Sequence, residues 1–208
     1  MIDQTELARW NERFNHDFYL FGTEPTTFLV EQKQHLPAKG SALCVADGEG
    51  RNSVWLAKQG LAVTAFDFSE PAVAKARKLA ESAGVKVDYR LGDINAWDWD
   101  EAQYDAIAAI FFQFVGPAER ARIFEGMTRA LKPGGVLLLQ DYNTDQLKYG
   151  TGGPKQIENL YTEKLLRDAF RSLEILHLRS HEREVSEGKG HVGMSALLDL
   201  IARRSATG

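Results

Sequence analysis

The sequence has few of the features that mark secreted, membrane or nucleic-acid-binding proteins. One residue in 208 is cysteine, so no disulfide can form within the chain, and a reducing compartment is favoured. Acidic residues outnumber lysine and arginine, giving a formal net charge of −4, and no block of basic residues occurs. Because neutralising phosphates requires clustered cations, nucleic acid is not an expected partner. No stretch approaches about 18 apolar residues and the opening residues hold no apolar signal core, which predicts a cytoplasmic protein without a membrane partner.

The apolar residues that are present follow the pattern of an α/β protein. Hydrophobic residues make up 44% of the chain and charged residues 26%, which suits one globular domain with a full core. Short apolar runs alternate with helical periodicity in the order strand, helix, strand, helix, strand, then strand, helix, strand, a short helix and a long hairpin. This order predicts a mostly parallel sheet with helices on both faces.

Local signals predict where the elements begin and end. The predicted strands, the last two of which pair as the hairpin, are 41–45, 61–67, 85–90, 104–112, 135–142, 173–185 and 191–204. A helix at 52–59 ends at Gly60, and the next begins at Ser69 as N-cap with Pro71 in its first turn. A later helix precedes LKPGG, and a short one covers 162–170 after the glycine-containing loop 143–161.

A glycine-rich turn joins the first predicted strand to its helix. Glycine tolerates positive φ and lets another group approach the backbone closely. The N-terminus of the helix adds unpaired N–H groups and a partial positive charge, so the turn predicts a nucleotide-sized cradle. The candidate cofactor-binding residues of this turn are Ala46, Asp47, Gly48, Glu49, Gly50, Arg51 and Asn52.

Two acids at strand ends narrow the choice of nucleotide. Asp67 ends the second strand, where a carboxylate accepts hydrogen bonds from ribose hydroxyls, and this leaves both NAD and S-adenosylmethionine open. Asp93 follows the third strand at the same edge and is a candidate acceptor for the exocyclic amine of an adenine. A hydride-transfer domain has no particular need for this second acid.

Several segments resemble the class I S-adenosylmethionine-dependent methyltransferases. They are DGEGRN, VTAFDFS, GDI, ALKPGGVLLLQDY and the closing hairpin, which occur in that order. The run GRNSVWLAKQGLAVTAFD resembles the tellurite-resistance and thiopurine methyltransferase-like branch, and YLFGTEPTTFL is similar to the substrate-side cap of that branch. The resemblance extends from about Trp10 to Arg203.

The resemblance implies a Rossmann-like, doubly wound, mostly parallel seven-stranded sheet with a C-terminal antiparallel hairpin. It implies a single domain over 1–208, with an N-terminal cap segment at 1–36 and a cofactor-binding core at 37–208. The implied cofactor is S-adenosyl-L-methionine, with S-adenosyl-L-homocysteine as product. Besides the turn, the cofactor-binding residues that it implies are Asp67, Phe68, Asp93, Ile94, Ile110 and Phe111.

The chain departs from the family pattern at three positions. Cys44 stands where the family usually has an acid, and Ala46 where it has a glycine. Asp47 and Glu49 are then the candidate partners for the methionine ammonium. Gln113 stands where the family commonly has a histidine after the fourth strand.

The expected acceptor is a small soluble molecule: a thiol, a selenium or tellurium oxyanion, or an amine. The candidate residues for the acceptor pocket are His191, Tyr149, Tyr142 and Arg183. No metal is expected, because no second acid joins Asp141 and Asn143, and the alternating histidines 177 and 181 are typical of a sheet surface. The sequence leaves the oligomeric state open.

Two other functions stay open at this stage. An NAD(P)-binding oxidoreductase would use the same turn, but it would have no use for Asp93 and no affinity for S-adenosylhomocysteine. A non-catalytic protein that keeps the fold would bind the cofactor without turnover, or not bind it; Cys44 and Ala46 motivate this alternative.

Overall fold

The computed structural model describes residues 3–206, whose strands form one seven-stranded sheet. The first two and last two residues of the chain, which belong to the expected cap and core, lie outside the described residues. The strands are β1 Ser41–Val45, β2 Ala62–Asp67, β3 Val87–Leu91, β4 Tyr104–Ile110, β5 Leu131–Tyr142, β6 Glu174–Glu187 and β7 His191–Arg203. The helices are α1 Gln4–Phe14, α2 Thr27–Glu31, α3 Arg51–Lys58, α4 Glu70–Ser82, α5 Pro117–Ala130 and α6 Glu163–Ala169.

The strand order is β3-β2-β1-β4-β5-β7-β6. The strands β3, β2, β1, β4 and β5 run parallel, and β7 lies antiparallel between β5 and β6. This confirms the predicted α/β fold with a closing hairpin. The chain order reverses between β1 and β4, and ligands of open α/β sheets bind outside the carboxyl ends of the strands at such a reversal.

The central strands are buried on both faces because helices cover both sides. Along β1, Leu43 and Val45 pack into one apolar cluster, whereas Ala42 and Cys44 pack into the other. This alternation is the two-residue period of a strand between two helical layers. The carboxyl ends of the strands are thereby fixed at one edge of the sheet.

The observed strand bounds differ from the predicted ones by up to four residues, and β4 and β5 show the physical reasons. β4 ends at Ile110, two residues early, because Phe111 has a positive φ of 56° and leaves the strand conformation. β5 begins at Leu131 rather than residue 135, and its register with β4 shifts between Tyr104 and Ala106. The LKPGG segment therefore ends α5, as predicted, but forms an irregular start of β5 instead of a separate loop.

The N-terminal segment packs onto α3 and α4 at the cofactor-turn edge. The Ser69 hydroxyl donates to the Asn11 side chain at 2.8 Å, and the Thr26 N–H donates to the Asn52 side chain at 3.0 Å. These bonds hold α1 and the stretch before α2 beside the N-termini of α4 and α3. Among residues 3–206, no helix combines the length and apolar character needed to cross a bilayer.

Gly50 determines how closely α3 approaches α4. It has a positive φ of 92°, and a Cβ there would lie 2.8 Å from Ala76 and 2.9 Å from the Tyr89 hydroxyl. We expect Gly50→Ala to lower the free energy of unfolding by about 2–4 kcal/mol, since backbone strain and overpacking add. Urea denaturation measures this change.

Gly84→Ala is the matched control, because Gly84 also has a positive φ but no atom within 4 Å of a built Cβ. Gly84→Ala should lower the free energy of unfolding only by the backbone strain, about 1–2 kcal/mol. Equal losses in the two variants would show that the close approach at Gly50 does not matter.

Candidate active site

A cavity opens at the carboxyl edge of β1, β2 and β4, where the strand order reverses. It encloses about 680 Å³, including its open mouth, and is lined mainly by apolar groups. A mainly apolar lining with a few polar groups is usual for small-molecule sites. Nine sequence-predicted cofactor residues line it: Ala46, Asp47, Gly48, Arg51, Asn52, Asp67, Phe68, Ile110 and Phe111.

Asp67 connects the end of β2 to the turn after β1. Its carboxylate accepts the N–H of Gly48 at 2.9 Å and that of Ser69 at 2.8 Å. Burial raises the pKa of Asp67 to about 6, although hydrogen bonds from the Ser69, Gly48 and Phe68 N–H groups limit the rise. Since a carboxylate has about four lone-pair sites, about one remains for a hydroxyl group of a ligand.

Asp47 lies in the same turn and holds the first turn of α3. It accepts both the N–H and the hydroxyl of Ser53, the former at 3.3 Å. Burial raises the pKa of Asp47 to about 7, an effect that the bonds from Ser53 partly offset. A cation bound in the cavity would favour the ionised form of this group.

Two residues with side chains adopt left-handed backbone conformations at this edge. Ala46 has φ 49° after β1, and Phe111 has φ 56° after β4. Such conformations store strain of about 1–3 kcal/mol each and cluster at binding sites. Ala46 thus occupies a conformation that glycine adopts freely, which accounts physically for the glycine that the family has there. Cys44 lies two residues before Ala46, in β1. It is buried in the sheet, and this burial raises the pKa of its thiol.

Arg51 and Asn52 join the turn to distant segments. Arg51 donates to Glu187 at 2.7 Å and to the Phe21 carbonyl at 3.4 Å. Asn52 accepts the Thr26 N–H. Both side chains therefore brace the N-terminal segment and the hairpin against α3 while they line the cavity.

Four other predicted cofactor residues do not line the cavity. Gly50 packs against α4, and the Glu49 carboxylate pairs with Lys75 and accepts the Phe21 N–H at 3.3 Å. Asp93 accepts the Asn95 N–H at 2.9 Å, and Ile94 is buried in the core. Glu49 is thus committed to holding the cap, so Asp47 is the acid of the turn that faces the cavity.

A second chamber adjoins the first and shares part of its wall. It encloses about 1400 Å³, including open space above it. The residues that line both spaces are Trp10, Phe21, Phe111, Phe114 and His191. Trp10 and Phe21, from the N-terminal segment, thus form part of the wall of both spaces. Phe114 was missed by the sequence reasoning; it packs edge-on against Phe68 at 5.2 Å.

His191 stands between the two spaces. Its ring lies 4.5 Å from the rings of both Phe21 and Phe111, and its Nδ1 is 3.4 Å from Glu187. Burial lowers the pKa of His191 and outweighs the bond to Glu187, and the positive charges of Arg51 and Arg13 lower it further. His191 is therefore neutral near pH 7 and available to accept a proton.

Glu187 was also missed by the sequence reasoning, although the predicted EGKG turn contained the signal. Glu187 and His191 are directly paired across the hairpin. Burial alone would raise the pKa of Glu187, but the bonds from His191 and Arg51 lower it to about 2. The anion orients the histidine ring from one side.

The other predicted acceptor-pocket residues divide into two groups. Tyr142 lines the second chamber, 4.9 Å from the Phe111 ring, and burial raises the pKa of its hydroxyl. Arg183 pairs with Glu31 at 3.2 Å, and a side-chain hydrogen bond with Glu182 raises the pKa of Tyr149; neither residue lines the two spaces.

Gln113 and His181 both form hydrogen bonds to other parts of the fold. The Gln113 amide donates to the Tyr142 and Asn159 carbonyls at 2.8 and 3.0 Å and accepts the Tyr142 N–H. It therefore fixes the end of β5. His181 bonds Asp199 at 2.8 Å. Within residues 3–206, no group of three or more His, Cys, Asp or Glu side chains is arranged to hold a metal ion.

Comparisons with known proteins agree with this geometry. Residues 42–135 match the family model described as a methyltransferase domain. The ubiquinone biosynthesis O-methyltransferase of Paramagnetospirillum magneticum is 38% identical over 104 residues, which are 49% of this chain and 41% of that protein. The probable S-adenosyl-L-methionine-dependent methyltransferase TehB of Haemophilus influenzae is 24% identical over 66% of this chain and 47% of its own length. The chain thus spans less than half the length of these two relatives.

Solved structures share the fold. TehB from Haemophilus influenzae superposes with a TM-score of 0.70 and 22% identity, covering 96% of this chain and 67% of that one. The N-methyltransferase NodS from Bradyrhizobium japonicum, in complex with S-adenosyl-L-homocysteine, gives a TM-score of 0.71 at 14% identity, covering 95% and 97%. Residues 42–135, somewhat less than half of the chain, are therefore similar to a methyltransferase domain, and the seven-stranded sheet has the fold of these solved structures.

Proposed function

We propose that this chain transfers the methyl group of S-adenosylmethionine to a small-molecule acceptor bound in the second chamber. The observation that carries the proposal is the wall shared by the two spaces, with Phe111 and His191 at the junction. A donor in the first space and an acceptor in the second would meet there. Such a junction suits group transfer between two bound molecules better than binding alone.

The cavity residues fit the groups of this cofactor. Asp67 would accept a ribose hydroxyl with its remaining lone pair, and the edge-on pair of Phe68 and Phe114 would provide an apolar wall for the adenine. Asp47 would face the methionine ammonium, whose charge would shift Asp47 to its ionised form. When bound, S-adenosylmethionine supplies a methyl carbon already activated by the sulfonium charge.

The chain's own contribution would be positioning, exclusion of water and removal of a proton. Orienting two reactants in this way lowers barriers by about 7–11 kcal/mol. The aromatic wall formed by Trp10, Phe21 and Phe111 lines the junction. An acceptor that carries a proton would give it to Nε2 of His191, because Nδ1 is directed at Glu187.

The names of the relatives support methyl transfer but differ in the acceptor atom. The Paramagnetospirillum protein is named an O-methyltransferase and NodS an N-methyltransferase. A hydroxyl, an ammonium and a thiol each lose a proton when methylated at neutral pH. The pairing of His191 with Glu187 would serve removal of a proton from any of the three.

Binding of S-adenosylhomocysteine tests the donor site. We expect calorimetry to give a specific complex with S-adenosylhomocysteine and none with NAD. Asp67→Asn should weaken binding by about 10–100-fold, because hydrogen bonds to a charged group contribute about 1.5–3 kcal/mol.

The matched control is Asp88→Asn, since Asp88 is an exposed acid on β3 that pairs with Arg90. It should leave the affinity for S-adenosylhomocysteine unchanged. Binding of NAD alone, or equal losses in both variants, would contradict the proposed donor site.

The pKa of His191 tests its proposed role as proton acceptor. Histidine-ring NMR, assigned with His191→Gln, should give a pKa below 6.5 in the native chain. Glu187→Gln should lower this pKa further, because it removes the anion that favours the charged ring. Arg51→Gln should raise it, since a nearby cation is lost.

The two shifts have opposite signs, so a general loosening of the fold cannot produce both. A His191 pKa at or above 6.5, or shifts of the same sign in both variants, would contradict the proposed effects of Glu187 and Arg51 on His191.

A further inference from the structure

Arg13 is a cation that lines the second chamber beside two aromatic rings. Its guanidinium lies over the Trp10 ring at 4.4 Å and near the Phe21 ring at 5.8 Å. The side chain is half-buried, and burial lowers its pKa. Within residues 3–206, no carboxylate oxygen lies within 4.0 Å of the Arg13 guanidinium nitrogens, the distance limit for an ion pair. Ring faces attract a cation but leave its N–H donors available.

The other charged side chains that line the chamber leave it with an excess of positive charge. Arg9 pairs with Glu6 at 2.7 Å, so these two charges cancel. Lys155 also lines the chamber, and no ion pair within 4.0 Å involves it in the described part of the chain. The chamber therefore presents an excess of positive charge to whatever binds there, which disfavours a cationic ligand and favours an anion.

The walls of the chamber favour a flat ligand. Five aromatic side chains line it: Trp10, Phe21, Phe111, Phe114 and Tyr142. Aromatic rings pack against one another in stacked or edge-on arrangements. Arginine adds a planar fork of donors that matches a carboxylate or phosphate with two hydrogen bonds.

Arg13 and His191 both lie beside the Phe21 ring. The Arg13 guanidinium is 5.8 Å and the His191 ring 4.5 Å from its centroid, so an anion paired with Arg13 would lie near the junction with the donor site. A ring held between the aromatic walls would span from Arg13 to His191 and bring a second substituent to the histidine.

We propose that the acceptor is a planar organic anion, an aromatic ring bearing a carboxylate or similar group, which Arg13 holds while the nucleophilic substituent lies against His191. This inference rests on the proposed function and names the substrate class of the same site. Arg13 acts as a specificity-determining residue, and amines are excluded as preferred acceptors.

Matched ring compounds of different charge test the proposal. Native chain saturated with S-adenosylhomocysteine is titrated with 3-hydroxybenzoate, 3-hydroxybenzamide and 3-hydroxybenzylamine, which are an anion, a neutral isostere and a cation. We expect the anion to bind about 10–100-fold more tightly than the amide, the range of a charge-assisted pair. Selenite is added as an inorganic oxyanion and should not compete.

Variants assign the preference to Arg13. Arg13→Gln should reduce the ratio between anion and amide to about one while leaving S-adenosylhomocysteine binding unchanged, and Arg13→Lys should restore part of the ratio. Arg90→Gln is the control, because Arg90 also lies near a tryptophan ring, 5.9 Å from that of Trp97, but outside the chamber. It should keep the full ratio.

Four results would overturn the proposal. The first is binding of the amide or the amine more tightly than the benzoate, and the second is an unchanged ratio of anion to amide affinity in Arg13→Gln. The third is binding of selenite when the benzoate does not bind, and the fourth is no binding of the benzoate up to about 10 mM. Failure of S-adenosylhomocysteine to bind would instead contradict the proposed donor site, and the same titrations without it would still measure the charge preference of the chamber.

Discussion

The hydrogen bond from the Gly48 N–H to the buried Asp67 carboxylate fixes the relation between the turn after β1 and the end of β2. The cavity and the N-terminus of α3 both depend on this relation. Burial raises the pKa values of Asp67 to about 6 and of Asp47 to about 7. The folded chain therefore binds more protons than the unfolded one between about pH 4 and 7, so these acids cost stability as the pH rises. Their retention at one sheet edge is best explained by ligand binding.

Arg51 couples the two halves of the site. It begins α3 beside the cofactor turn, bonds the Phe21 carbonyl in the N-terminal segment and pairs with Glu187 of the hairpin. Glu187 in turn orients His191. One guanidinium thus joins the donor cavity, the aromatic wall and the proposed proton acceptor, three parts that are far apart in the sequence.

The sequence was informative wherever function follows from local pattern. The alternation in β1, the turn at Gly48 and Gly50 and the acid at the end of β2 all lie within 41–67 and predicted the nucleotide cradle, and the order of elements along the chain predicted the fold. The contact of Phe114 with Phe68, the position of Arg13 over Trp10 and the pairing of Glu49 with Lys75 depend on how distant segments pack. No spacing rule predicts such contacts, so Glu49 was interpreted as a cavity residue and Phe114 was missed.

The central claim is that donor and acceptor spaces meet at Phe111 and His191. A crystal structure of the chain grown with S-adenosylhomocysteine tests this claim most directly. The account predicts electron density for the product in the first cavity, with a ribose hydroxyl on Asp67 and its sulfur directed toward Phe111 and His191. Density in another cavity, or a sulfur directed away from the second chamber, would contradict it.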